Sequence, residues 1–179
     1  MIFPYDGSMK KKLCILGLNI LCIVLLTGCT QQHPASRSYT NSMYGFSFDP
    51  PSGWQQKKNE DADIAVRFTP GNATNVSLIV AVPFTLSEGL ALSVFADQTE
   101  ENLIESGVEY SIVHRDWRSI SQLQAYELAY SYEQDGITKY VKQVAVLRTR
   151  TVFLITFTAL DTSAEQYLTD VDQSIETFM

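Results

Sequence analysis

Cysteine is nearly missing from this chain. Of three in 179 residues, Cys14 and Cys22 lie inside an apolar N-terminal run and only Cys29 follows it, so no pair remains to form a disulfide scaffold. Histidine is as scarce, with His33 and His114 alone, and the Gly-x-Ser-x-Gly, His-Glu-x-x-His and Walker patterns do not occur. Few groups are therefore on hand for proton transfer or nucleophilic attack, and the sequence predicts a non-enzyme without cofactor or metal. Basic residues are outnumbered, 13 against 20 acidic for a net charge of −7, and they form no stripe. Nucleic acid is excluded as a partner, because phosphate backbones are held by clustered Lys and Arg. Long apolar runs are also lacking. The run from Leu13 to Leu26 covers about 21 Å as a helix against a hydrocarbon core of about 30 Å, too short for a permanent span.

What stands at the N-terminus is an export pattern. Lys10-Lys11-Lys12, the apolar run and Leu26-Thr27-Gly28-Cys29 follow in the order of charged region, hydrophobic region and cleavage site. Met9 is the more ordinary start, since the eight residues before it do not belong to the pattern. Leu26-Thr27-Gly28-Cys29 resembles the lipobox of prokaryotic lipoproteins, which implies cleavage between Gly28 and Cys29 and a diacylglycerol on the Cys29 thiol. Two acyl chains anchor a protein stably where one binds marginally. The expected location is the extracytoplasmic face of a prokaryotic membrane. Residues 1–28 are then signal peptide, and 29–41 are lipidated cysteine plus a polar, aperiodic tether that contains His33. Removing Asp6 and the three lysines with the signal leaves 10 basic and 19 acidic residues, a net charge of −9.

Residues 42–179 read as one domain. Tyr44, Phe46 and Phe48 alternate with small or polar residues until Pro50-Pro51-Ser52-Gly53 ends the strand, and Trp54 follows. Ile64–Thr69 and Val76–Val82 flank Pro70-Gly71-Asn72 and predict a hairpin. Leu92, Phe95, Ala96, Thr99 and Leu103 share helical spacing, with Gly107 as the stop. Four further runs, Val108–Arg118, Leu123–Glu133, Ile137–Leu147 and Thr151–Leu160, predict an antiparallel meander with Asp135-Gly136 as a hairpin turn. In the last run Val152 and Leu154 face one way and Phe153, Ile155 and Phe157 the other, so both faces require cover. Thr162-Ser163-Ala164-Glu165 has the form of a capping box opening a helix whose face carries Tyr167, Leu168, Val171, Ile175 and Phe178. The expected fold class is α+β, an antiparallel sheet of six or seven strands sandwiched by helices.

Tyr44-Gly45-Phe46-Ser47-Phe48 leading into Pro51-Ser52-Gly53-Trp54, the helix of Leu92-Ser93-Val94-Phe95-Ala96-Asp97-Gln98, the strand Leu123-Gln124-Ala125-Tyr126-Glu127-Leu128 and the closing helix resemble the PsbP-like domains over roughly Asn41 to Met179. That family includes a photosystem II oxygen-evolving subunit and prokaryotic lipoproteins, and the Ran-binding Mog protein shares its fold. The resemblance implies an α/β/α sandwich and a non-catalytic accessory that docks on a membrane complex or envelope component. Arg148-Thr149-Arg150 departs from the family, where a looser turn is usual.

Candidate residues are few. Arg115, Trp117 and Arg118 on one strand make a candidate partner-binding patch, because Trp and Arg are enriched in binding hot spots. The same residues also suit an ordinary half-buried strand. The alternative function is small-ligand binding in an enclosed, aromatic-lined pocket. A hydrolase using His114 is a weaker alternative that requires a Ser or Asp within hydrogen-bond reach. Glu60, Asp61 and Asp63 offer three carboxylates where calcium wants six to eight oxygens, so they read as a solvated turn. Asn72 and Asn75 begin glycosylation-type triplets that also suit turns. Trp54 reads as a packing residue for the turn before it.

Overall fold

Alternation of apolar side chains over ten to twelve residues builds the centre of the molecule. The structure, a computed structural model, describes residues 38–58, 60–71 and 73–179. The signal, Gly28, Cys29, His33 and Asn72 lie outside the described residues. Four long strands, β7 (Tyr110–Ile120), β8 (Leu123–Gln134), β9 (Ile137–Arg148) and β10 (Thr151–Leu160), form the expected meander. The sheet is extended by β5 (Ser77–Ala81), β4 (Ile64–Pro70) and β3 (Trp54–Lys57), in the order β3-β4-β5-β10-β9-β8-β7, with the two-residue β6 (Phe84–Thr85) pairing on β10. Eight strands result, one more than the upper expectation. Every pairing is antiparallel.

Both faces of the sheet are covered, each by its own apolar cluster. Phe153, Ile155, Phe157, Ala125, Ala129 and Val144 face helix α2 (Asp161–Glu176), with Ala164, Val171 and Ile175 opposite them. Tyr126, Leu128, Ala145 and Val152 face helix α1 (Leu92–Glu105) through Leu92 and Ala96. The period of two in β10 thus feeds two cores at once. This is the α/β/α sandwich that the resemblance implies.

Several local details differ from the sequence expectation. Tyr39–Asn41, assigned to the tether, is strand β1, paired with β2 (Phe46–Phe48) because the Tyr39 ring packs 5.8 Å from Phe48 and 5.5 Å from Phe68. The capping box does not form: α2 starts at Asp161, Leu160 is its N-cap without a side-chain bond, and Ser163 Oγ donates back to the Leu160 carbonyl. The turn at Asp135-Gly136 has φ of +55° and +74°, the type I′ geometry that the sequence signals. Ser121 and Gln122 adopt the same geometry, +48° and +68°, without a glycine. The Arg148-Thr149-Arg150 turn is tied down by its arginines. Arg148 Nη2 donates to the Gly45 carbonyl at 2.7 Å, and Arg150 Nε and Nη2 donate to the Leu86 carbonyl at 3.2 and 3.0 Å.

Trp54 is half-buried against Phe157 and Tyr167, with ring centroids 6.4 and 5.8 Å away. It fastens the end of β3 to the α2 side, as its place after the turn implied.

Candidate functional site

A strand at the end of a sheet leaves one row of backbone N–H and C=O groups without a strand partner. Among the described residues strand β7 holds that position, pairing with β8 alone, and it is longer than the four-residue β3 at the opposite end. Residues Ser111 to Trp117 are all exposed, including Ile112, Val113 (58% exposed) and Trp117 (44%). A register shift between Ile112 and His114 marks a bulge at Val113, and from His114 to Ile120 the pairing with β8 is regular. The bulge and the interspersed charges keep so long an edge from pairing indiscriminately.

The patch expected from Arg115, Trp117 and Arg118 is divided by the sheet. Arg115 and Trp117 lie on the α1 side, where Arg115 Nη1 meets Glu100 Oε2 at 2.8 Å and Trp117 packs 4.9 Å from the Tyr126 ring. Arg118 lies on the α2 side and pairs with Glu127 and Glu176. A spacing of three along a strand reverses the face, so the two arginines cannot act together on one surface. His114 is exposed and makes no side-chain hydrogen bond or ion pair among the described residues. Among the described residues no Ser or Asp makes the hydrogen bond to His114 that a hydrolase of this kind requires. Asp63 N–H donates to Asp61 Oδ1 at 2.9 Å in the acidic loop, and among the described residues no acidic, histidine or cysteine group has a metal-holding arrangement. Asn75 is exposed in its turn.

Between α1 and β7 lies a cleft of about 280 Å³ floored by Trp117 and Tyr126 and edged by Asp97, Glu100, Arg115 and Asp116. Tyr126 Oη donates to Glu100. Burial and that bond to a carboxylate push the phenol up to about 12. A second cleft of about 260 Å³ opens beyond the C-terminal end of α1, lined by Tyr110, Tyr130, Tyr132, Gln143, Thr156 and Thr158 among others. It is open to solvent on one side, so it is not the enclosed pocket that a buried ligand needs.

On the α2 side sits a charged chain that sequence reading missed. Lys142 Nζ lies 3.0 Å from Glu127 Oε1 and 2.7 Å from Asp172 Oδ1, while Arg118 joins Glu127 to Glu176. Glu127 and Lys142 are buried. Burial alone would raise the Glu127 carboxyl, but hydrogen bonds and charge from Lys142 and Arg118 outweigh it and hold the group below its usual range. Burial works against the Lys142 ammonium too, and its bonds to Asp172 and Glu127 raise it above its usual value. The cluster spans β7, β8, β9 and α2. It ties α2 to the sheet.

A family model described as DcrB matches residues 47–177. The chain belongs to the DcrB family. Solved structures with the same fold include cyanobacterial PsbP (CyanoP) from Synechocystis sp. PCC 6803, at 16% identity and a TM-score of 0.61, covering 86% of this chain and 98% of that one. PA94 of Pseudomonas aeruginosa, a protein of unknown function described as a putative regulator, is 17% identical with a TM-score of 0.56, covering 79% of this chain and 94% of that one. LpqN of Mycobacterium tuberculosis, described as involved in cell envelope biogenesis, is 14% identical with a TM-score of 0.59, covering 75% and 82%. At these identities the likeness shows a shared fold. No curated protein matches the chain. Among the described residues no helix is long and apolar enough to cross a membrane.

Proposed function

We propose that this DcrB-family chain is a lipid-anchored, non-catalytic accessory domain on the extracytoplasmic face of a prokaryotic membrane, docking on a membrane complex or envelope component through β7. The observation that carries the reading is an eleven-residue end strand whose apolar residues Ile112, Val113 and Trp117 stay exposed. Apolar side chains on an unpaired strand edge are what strand-adding partners use. The order of charged, apolar and Leu26-Thr27-Gly28-Cys29 segments supports the anchor, and the shared fold with LpqN supports an envelope setting.

The test is photo-crosslinking in intact cells with a reactive side chain placed at Val113, at Ser119 or, as a control, at Glu165 on α2. Discrete adducts at the two β7 positions, lost when Cys29→Ala releases the protein from the membrane, are expected. Adducts equal at all three positions, or none on β7, would overturn docking by this edge. Metabolic labelling with a fatty acid checks the anchor separately, with label expected on the parent and none on Cys29→Ala.

A second reading is favoured by the tyrosine cleft. Tyr130, Gln143, Thr156 and Thr158 make no side-chain hydrogen bond among the described residues, so their polar groups are free for a small neutral ligand. Chemical-shift changes confined to these residues on titration with such ligands would support it, and their absence would reject it.

A further inference from the structure

We infer that the β7 edge selects an extended segment carrying a basic side chain, which enters the Trp117–Tyr126 cleft. This rests on the docking reading above and adds the chemistry of the partner. Backbone and side-chain features meet at one place. From His114 to Ser119 the edge pairs regularly with β8, so an incoming strand would meet the opposite row of backbone groups in register, displacing Asp116 Oδ1 from the Trp117 N–H that it now accepts at 2.8 Å. Side chains of that strand alternate in direction, and every second one on the α1 side arrives next to Arg115 and Trp117.

What waits there suits a cation. Two aromatic rings, 4.9 Å apart and inclined at 47°, floor a cleft of about 280 Å³. An ammonium or guanidinium over such a face gains from the ring quadrupole, most of all over Trp. Two carboxylates of α1, Asp97 and Glu100, edge the cleft against one guanidinium, while Asp116 borders it from the strand and alternates to the other face. Arg115 is already engaged by Glu100, whose other oxygen accepts the Tyr126 hydroxyl, so the resident cation is spent. Among the described residues Asp97 makes no hydrogen bond or ion pair. A negative side chain would meet the uncompensated Asp97 carboxylate at this point, whereas a basic one completes it. Ile112 and Val113 beside the bulge supply apolar contact for the residues flanking it.

The test uses the full lipidated chain in nanodiscs of zwitterionic lipid, which do not themselves collect cationic peptides. Three probes are titrated: an acetylated, amidated Thr-Val-Thr-Lys-Val-Thr-Val peptide, the same peptide with Glu for Lys, and the Lys peptide with alternate backbone nitrogens methylated. The Lys peptide should bind about tenfold more tightly than the Glu peptide, a preference that shrinks with added salt. Methylation should abolish binding, because it removes the donors of one edge. Asp97→Asn with Trp117→Leu should bring the Lys and Glu peptides to within about twofold of each other. Equal binding of the two, still sensitive to methylation, would overturn the basic preference while leaving edge docking intact. Lys binding that survives methylation, or no binding by any probe, would remove the edge mode itself. Dimerisation of the chain that neither peptide disturbs would assign the edge to a second copy and also overturn the proposal.

Discussion

Lys142 Nζ lies 3.0 Å from Glu127 Oε1 on the adjoining strand, and both residues are buried under α2. Two charges taken out of water hold their place only while each has its partner. Lys142→Met should therefore cost about 3 kcal/mol, the lower end of the usual range for breaking a buried pair, because Arg118 still faces Glu127. Glu127→Met together with Lys142→Met should be less damaging than the single change, since no orphaned buried charge remains in the pair. Urea denaturation of the three variants checks both.

The same cluster shapes the pH dependence. Glu127 is held below its ordinary 4.5, so its contribution is present above about that pH and is lost as pH falls through the lower folded value. Lys142 is raised above 10.5, so its contribution is present below that value and lost as pH rises through the folded one. Tyr126, raised from 10.0 to about 12, favours the neutral phenol in the fold, and that contribution is also lost between those two values as pH rises. Melting temperature against pH should show a plateau falling at both ends. Glu127→Gln should flatten the acid limb, and Tyr126→Phe should remove part of the alkaline one.

Gln122 holds φ of +68° in a turn that glycine enters without steric cost. Gln122→Gly should stabilise the domain by about 0.5–1 kcal/mol, the relief of a left-handed side chain less the added freedom of the unfolded chain. The gain is read as a higher urea midpoint with an unchanged slope.

The two tryptophans should separate cleanly. Trp54→Ala should cost about 2–3 kcal/mol, short of the ~3–5 kcal/mol of a fully enclosed aromatic, because the ring is half-buried on Phe157 and Tyr167. Trp117→Ala should cost under about 1 kcal/mol, its ring being 44% exposed. Thermal denaturation of both variants, run side by side, reads the difference.

The four meander strands were legible because long alternation and strong turn chemistry agree there. Each observed boundary lies within two residues of the expected one. The strands β1, β3 and β6 were not legible, since they are two to four residues long and exist through distant contacts, such as Tyr39 on Phe68 and Phe84 opposite Val152. No local pattern records such partners. The buried charges were readable in principle. Ala125, Glu127 and Ala129 share one face of β8, as do Tyr140, Lys142 and Val144 on β9, so the strand period places an acid and a base together inside. The same parity separates Arg115 from Arg118. The candidate edge could not be read, because which strand ends a sheet is a property of topology, and the long connection through α1 gives no local sign of it.

Ser47 N–H donates to the Met179 carbonyl at 3.0 Å, and Met179 N–H returns a bond to the Ser47 carbonyl at 2.9 Å, while Phe178 stacks 5.4 Å from Phe46. Strand β2 is thus zipped to the stretch that follows α2, far along the chain. Its rings gain their full cover only once α2 has been made and packed back, so closure of the α2-side core waits on a segment far along the chain. During that interval Phe46 and Phe48 are the surface a chaperone would find first.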